Sequence, residues 1–393
     1  QDPRVLHFLQ RNAAWSTLPN ISCSILAPGG AASFPSWPPA AGPHVAYKVG
    51  SLAKLVTALT LADLESRRIV DLDCPASRYI PWLDACLADP GRQLRLVDLL
   101  AHTAGLPRGL LLEGNPGPAE LRVLVEAAAP LRLGVPARYS NIGYMLLGGV
   151  IEAVTGLPFA KAVTAAIMAP LGLVSTGYGA LPKPSAAPHE ARCFVPGARR
   201  VYEPAPSALR QAPRAAMDLH TTAVEFAVLL AALLPGGGGW PRGRFAGHLA
   251  RLRQLVAPAA DGAPLGPGFR TEPGRPGLMF ECAEHFGHSA ALLLVPARGM
   301  AIAVFANRAS ASAELATIAG SLARHLGGDE EALMNAYPRP GAVAGAYAAG
   351  AERLAITRAG PRLFAAFGDE APSPIAYVGG RGFVKPAGAR TSY

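Results

Sequence analysis

Charge is scarce in this sequence. Only 16% of its 393 residues are Asp, Glu, Lys or Arg, half are apolar, and mean hydropathy is +0.24, which excludes disorder over most of the chain. Lysine is scarcer still, five of the 36 basic residues, and the arginines are scattered. A nucleic-acid interface needs clustered Lys and Arg with aromatics, so the net charge of +9 carries no such signal; it follows the Arg, Ala, Gly and Pro bias of a GC-rich coding sequence. No uncharged apolar run reaches the roughly 18 residues of a membrane span, so no spanning helix is expected. The five cysteines (Cys23, Cys74, Cys86, Cys193, Cys282) include no C-x-x-C, which excludes a zinc clip and a thioredoxin-type motif. They are expected to be small buried thiols, with a Cys74–Cys86 bridge left open. The N-terminus lacks a basic segment followed by an apolar one, which points to the cytoplasm; Gln1 is not a start Met, so a removed leader and a periplasmic or secreted location stay open. No G-x-S-x-G, HExxH, Walker or Rossmann glycine pattern occurs, and Gly236–Gly239 has no Lys-Ser/Thr after it.

What is present reads as a mixed α and β chain. Ile21–Leu26 and Val45–Val49 read as strands, Ser51 to about Ser66 as a helix, Leu96–His102 as a short helix, and Asn141–Val154 and Phe159–Met168 as further helices. Leu181–Pro213 is Pro-rich and irregular. Thr221–Leu234 reads as a helix, Phe286–Val295 and Met300–Asn307 as a hairpin turning at Arg298-Gly299, and Ser310–Leu326 as a helix covering it. After Gly341 the texture changes to short strands: Gly345–Tyr347, Leu354–Arg358, Leu363–Phe367, Ile375–Val378 and Gly382–Val384.

Three constellations carry chemistry. Ser51-x-x-Lys54 stands at a strand-to-helix junction, and residues three apart share a helix face, so Lys54 reaches Ser51. A buried Lys loses its proton more easily and can then accept one from the hydroxyl. On its own this spacing is also met on ordinary solvated helices. Tyr139-Ser140-Asn141 opens a long helix; the phenol can relay a proton and the carboxamide can hold a substrate amide and Lys54, while Ser140 or Asn141 can equally be a helix cap with Tyr139 in the core. Gly287-His288-Ser289-Ala290-Ala291 lies on a strand that could supply an N–H opposite that of Ser51, or His288 could be a satisfied structural histidine.

In this order and spacing, Ser51-x-x-Lys54, Tyr139-x-Asn141 and the His288 segment resemble the serine β-lactamase and penicillin-binding-protein superfamily, in its class C β-lactamase-like branch of D-stereospecific peptidases, esterases, penicillin-binding-protein-type thioesterases and transacylases. Leu99–Pro107 resembles that branch's LLxHTSGLP marker with Ala104 in place of Ser, and Pro170–Leu173 and Asp218–Ala223 resemble further markers. The likeness spans roughly residues 40 to 325. It implies an α+β, β-lactamase/transpeptidase-like fold: an antiparallel sheet flanked by helices, with an inserted helical lobe over roughly 76–215 of a catalytic domain 1–330. Residues 341–393 resemble the start of the small lipocalin-like β domain of some members. The implied site is Ser51 as nucleophile, Lys54 with Tyr139 as base, Tyr139 and His288 as proton donors, Asn141 for positioning, and Ser289, Ala290 and Ala291 lining the oxyanion side, with no metal and no cofactor. Ala290 stands where the family's third motif usually has Gly, and His288 is a poor point charge for a carboxylate at neutral pH, so the donor is expected to be neutral or ester-like. The expected partners are a small-molecule or peptidyl acyl donor and an amine or water acceptor, with no nucleic acid and no membrane span; the oligomeric state is open. Transfer to an amine gives a transacylase or peptide cyclase of natural-product biosynthesis. Transfer to water gives an esterase, D-aminoacyl peptidase or β-lactamase-like hydrolase. A non-catalytic acyl-peptide-binding relative is the third expectation.

Overall fold

The computed structural model describes residues 18–326, apart from short stretches of which the longest are 38–41, 110–114, 185–188, 193–200, 205–212 and 236–242, together with five strands between Gly345 and Val384. The chain opens with β1 (Ile21–Leu26), β2 (Ala32–Ser33), β3 (Ser36–Trp37) and β4 (Ala46–Lys48), and a 3-10 turn over Gly50–Leu52 leads into α1 (Ala53–Ser66). Helices α2 (Leu96–Leu100), α3 (Pro118–Glu126), α4 (Asn141–Thr155) and α5 (Phe159–Val163, continued by a π turn over Thr164–Met168) follow. Then come β5 (Gly177–Tyr178), the pair β6 (His189–Arg192) and β7 (Val201–Pro204), α6 (Arg214–Met217), β8 (Leu219–Thr222), α7 (Ala223–Leu233) and α8 (Ala246–Arg253). The last part runs β9 (Leu265–Gly266), β10 (Phe269–Glu272), β11 (Arg275–His285), β12 (His288–Val295), β13 (Met300–Ala306) and α9 (Ser312–His325).

The main sheet is antiparallel, in the order β2-β1-β13-β12-β11-β10-β9, with β3 also paired to β1. Its middle strand β12 carries Ala-Ala-Leu-Leu-Leu-Val, apolar on both faces, because both faces are covered. Ala290, Leu292 and Leu294 join the larger core, which contains α1, α4 and α7; Ala291 and Leu293 join a smaller core under α9. Burying each such leucine contributes roughly 1.5–3 kcal/mol. Helix α1 is buried almost all round, which fits its place at the centre of the larger core.

The α+β expectation holds, with three corrections. Thr221 and Thr222 belong to strand β8, not to a helix, and the Thr222 hydroxyl caps α7 by accepting from the Glu225 amide at 3.2 Å. The long strand β11 had no counterpart in the reading above. Cys74 and Cys86 are both free thiols, as are Cys23 and Cys282. At the C-terminal end, strands Gly345–Ala349, Glu352–Ala359, Arg362–Phe367, Ser373–Tyr377 and Phe383–Val384 pair antiparallel in sequence order. The expected boundary at 341 lies outside the described residues. Among the described residues no single helix is long and apolar enough to cross a membrane.

Candidate active site

The site begins at Gly50. Its φ is +52°, and a Cβ there would lie 2.8 Å from the Glu284 carbonyl oxygen and 3.2 Å from the Ala283 Cβ. Glycine therefore permits both the left-handed turn and the approach of the Ser51 turn to strand β11. Gly50→Ala is expected to cost roughly 1–3 kcal/mol of stability and, by displacing Ser51, to lower kcat/KM about a hundredfold. Urea midpoints and the rate of Ser51 acylation check the two parts separately.

One turn later, Lys54 is fully buried on α1. Its Nζ donates to the Ser51 Oγ at 3.1 Å and to the Ala216 carbonyl of α6 at 2.8 Å. It also stands 4.7 Å from the centre of the Tyr139 ring and 5.7 Å from that of Tyr144. Burial pulls its pKa down to about 7; the Glu281 carboxylate opposes this and Arg108 adds to it. The ammonium proton is thus loosely held near neutrality, one hydrogen bond from a hydroxyl.

Tyr139 is brought to the same place by a different device. His102 sits in the left-handed region, φ +61°, and its buried ring stacks on the Tyr139 ring at 4.7 Å and 20°. Its Nδ1 accepts from the Ser140 amide at 3.0 Å, which leaves the proton on Nε2. Burial first, and then the charges of Lys54 and Arg270, hold this histidine well below its ordinary pKa, so it is neutral. The Tyr139 hydroxyl is buried without a well-formed hydrogen bond of its own, yet it lies close enough to Ser51 for that hydroxyl to draw its pKa down against the burial. Burial, then the Glu281 carboxylate, push the phenol far above its ordinary value, so it stays protonated. Ser140 is the N-cap of α4: its Oγ accepts from the Gly143 amide at 3.1 Å and donates to the Pro107 carbonyl at 2.7 Å. Asn141 donates through Nδ2 to the Gly109 carbonyl at 3.1 Å, and its Oδ1 is buried without a hydrogen bond. It therefore ties the Pro107–Gly109 segment to α4 rather than holding Lys54.

The third constellation is not where the sequence placed it. His288, Ser289, Ala290 and Ala291 lie on β12, which has β11 on one side and β13 on the other. The His288 ring packs edge-on against Tyr47, with centroids 6.1 Å apart. The Ser289 Oγ bonds Glu284, the Arg308 carbonyl and the Ala311 amide. Ala290 is buried in the core. The hairpin closes His285 on His288 through two residues, so His285 and His288 form a hydrogen-bonded pair and the pairs alternate from there. By that alternation the Ala291 amide points into the β13 ladder, opposite Val304, and is not available to an oxyanion. The amides and carbonyls of Cys282 and Glu284 point the other way, off the free edge of β11. Two contacts agree: the Cys282 amide donates to its neighbour's Glu281 Oε1 at 3.1 Å, and the Glu284 carbonyl meets Gly50. The strand edge facing Ser51 is therefore Glu281–Glu284, and the amide opposite that of Ser51 is Glu284's. His285 stands with Asp218 at 3.7 Å, while Lys48 bonds that same carboxylate at 2.5 Å.

Glu281 is the residue the sequence reading missed. It alternates with Met279 and Ala283, which face the larger core, so it shares the face that α1 covers. It is 5% exposed. Burial pushes its carboxyl above the ordinary carboxylate value, against Arg270, Lys54, the Cys282 amide and Arg108.

Comparison with known proteins shows the family. Esterase EstB of Burkholderia gladioli is 31% identical over 150 residues, 34% of this chain and 38% of that protein. The chain's matches span about a third of the length of the curated relatives, Penicillin-binding protein 4 of Amycolatopsis lactamdurans among them, at 28% identity over 131 residues, 32% of this chain and 34% of that protein. The octameric penicillin-binding protein homologue from Pyrococcus abyssi shares the fold at a TM-score of 0.70 and 19% identity, over 95% of this chain and 90% of that one. A family model described as Beta-lactamase matches residues 29–325, so with the Ser51–Lys54–Tyr139 cluster set against a free strand edge, this chain belongs to the β-lactamase family.

Proposed function

We propose that this chain is a serine acyl-enzyme catalyst that takes an acyl group from an ester, thioester or peptide donor and passes it to water. The observation that carries the reading is the buried Lys54 Nζ, 3.1 Å from the Ser51 Oγ. In its neutral form Lys54 takes the Ser51 proton as Oγ attacks the acyl carbon. The oxyanion sits between the amides of Ser51 and Glu284. As the tetrahedral intermediate collapses, the bond to the leaving group breaks. The leaving group takes the proton from Lys54, directly or through the Tyr139 hydroxyl, whose high pKa keeps it a donor. Water then repeats the sequence on the acyl-enzyme, and Ser51 regains its proton. His288 has no part in this scheme, and Asn141 serves it by fixing the Pro107–Gly109 segment. The name of Esterase EstB supports water as acceptor.

Transfer to an amine, as in a transacylase or peptide cyclase, is the second reading. It is supported by Glu281, a buried carboxyl group that acts on both Lys54 and Tyr139. Neither reading leaves room for a pure binding protein, which has no use for a deprotonated lysine beside a serine.

The test is intact-protein mass spectrometry with a methyl ester, a pantetheine thioester, a D-Ala-terminated peptide and a penicillin, with and without an added amine. An adduct on Ser51 that decays to free acid at the same rate with and without amine is the expected result. Collapse to amide when amine is present selects the second reading. Absence of any adduct from the folded protein overturns both.

A further inference from the structure

The catalytic scheme leaves a buried charged cluster unused. Lys48, Asp218 and His285 are all buried. The Lys48 Nζ donates to the Asp218 Oδ1 at 2.5 Å, to the Gly179 carbonyl at 2.5 Å and to the Asp218 carbonyl at 3.0 Å. The other carboxylate oxygen, Oδ2, accepts from the Gly179 amide at 2.9 Å. The His285 Nε2 stands 3.7 Å from Oδ1.

One carboxylate thus reaches segments that all lead into the site. Lys48 ends β4, three residues before Ser51. Asp218 lies between α6 and β8, two residues after the Ala216 carbonyl that holds Lys54. His285 ends β11, next to Glu284, whose amide faces that of Ser51.

The cleft between them has two walls. One is β4, β8 and the Ser51 turn, joined by the β4–β8 ladder and by the Val49 amide, which donates to the Leu219 carbonyl at 3.0 Å. The other is the free edge of β11, which belongs to a different sheet. A cleft that admits an acyl donor cannot be laddered shut, so packing and side chains set its width. The close approach of Gly50 to the Glu284 carbonyl stops the walls from closing further, but it does not stop them from parting. Asp218 and His285 do, since an imidazole N–H facing a carboxylate is attracted to it whether or not the ring is charged. Lys48 and the Gly179 amide keep that carboxylate from turning away. A buried ion pair adds little stability over apolar side chains of the same size. Two amides that share one oxyanion, by contrast, need placement to within about half an ångström.

We infer that Asp218, held by Lys48, is a positioning residue that fixes the gap between the Ser51 and Glu284 amides by tying the end of β11 to the segments that carry Ser51 and Lys54. It touches no reacting atom. The inference rests on the acyl-enzyme reading above and deepens it: losing the tie slows the step in which the oxyanion forms and leaves donor binding in place.

Single-turnover acylation of Ser51 by a neutral phenylacetyl thioester, followed by intact mass at rising donor concentration, tests it. The amplitude counts folded sites, the saturating rate reads alignment and the half-saturating concentration reads binding. The double variant Lys48→Met with Asp218→Leu removes one charge of each sign, so the net charge beside Lys54 is unchanged, and Gly179 is exposed enough for its amide and carbonyl to meet water. It is expected to keep the full amplitude and a half-saturating concentration within about threefold of wild type, with a saturating rate about a hundredfold lower. Asp218→Asn keeps the shape and an acceptor for Lys48; it is expected to slow acylation about tenfold, and it decides the matter alone if the double variant does not fold. A wild-type saturating rate in the folded fraction of either variant, with or without a loss of amplitude and Tm, makes the ion pair purely structural and overturns the inference while the nucleophile assignment stands. A wild type that forms no adduct on Ser51 overturns both.

Discussion

Ser51→Ala is expected to abolish covalent adduct formation and to lower kcat/KM by at least about 10⁴. Removing the nucleophile of a hydroxyl-based acyl-transfer site costs more than 10⁴ in turnover, because its partners cannot act without it. Here the partners are Lys54, which would lose its acceptor at 3.1 Å, and Tyr139, beside it. The fold has little stake in the hydroxyl. Ser51 is partly exposed, and the turn is set by Gly50, not by a side-chain cap. The Ser51 amide also remains, so the variant should still bind donor with an affinity near that of the wild type. Intact mass after incubation with donor, kcat/KM and Tm together check this. A Tm within a degree or two of wild type with no adduct is the expected pair. A residual rate above about 1% of wild type would remove Ser51 from the mechanism.

Much of this is legible in the amino-acid sequence. Ser51-x-x-Lys54 was readable because its chemistry depends on a three-residue spacing within one helix, and that spacing survives any tertiary arrangement. The same holds for Ile21–Leu26 as a strand and for a cap of α4 at Ser140 or Asn141, of which the structure uses Ser140. The third constellation depends instead on which of two neighbouring strands lies next to α1. In a stretch where both His288-Ser289 and Glu281-Cys282 precede apolar residues, local pattern does not decide that. The Pro276-Gly277 pair and the charges at Glu281 and Glu284 hid β11 from a search for alternating apolar residues. Those charges are tolerated because Glu281 faces the site and Glu284 is bound by the Ser289 hydroxyl and the Ser312 amide. His102 has a structural part, accepting from the Ser140 amide and stacking on Tyr139. Its left-handed backbone has no signature in the sequence.

Lys54→Met should separate catalysis from stability. Two effects are expected in the wild type. First, kcat/KM falls about tenfold per pH unit below about 7, since only neutral Lys54 can accept the Ser51 proton. Second, folding stability rises with pH between about 7 and 10.5, the value of an unburied lysine. In that window the unfolded chain holds a proton that the native chain has lost, so each pH unit adds up to about 1.4 kcal/mol from this one group. The raised Glu281 carboxyl works with the opposite sign and on the acid side: the native chain holds its proton above the ordinary carboxylate pKa, so its contribution falls as pH rises there. The two slopes do not coincide, and alkaline measurements isolate Lys54. Methionine keeps the buried volume and removes the charge. The Ala216 carbonyl loses a donor, at a cost of about 1–3 kcal/mol, while the penalty for holding a lysine away from water disappears. Lys54→Met is therefore expected to lower kcat/KM about 10³-fold or more at every pH and to flatten the rise in urea midpoint between pH 7 and 9.5. A variant that keeps the wild-type slope would mean that Lys54 carries its proton in the native state throughout this range, and the base would then have to be another group.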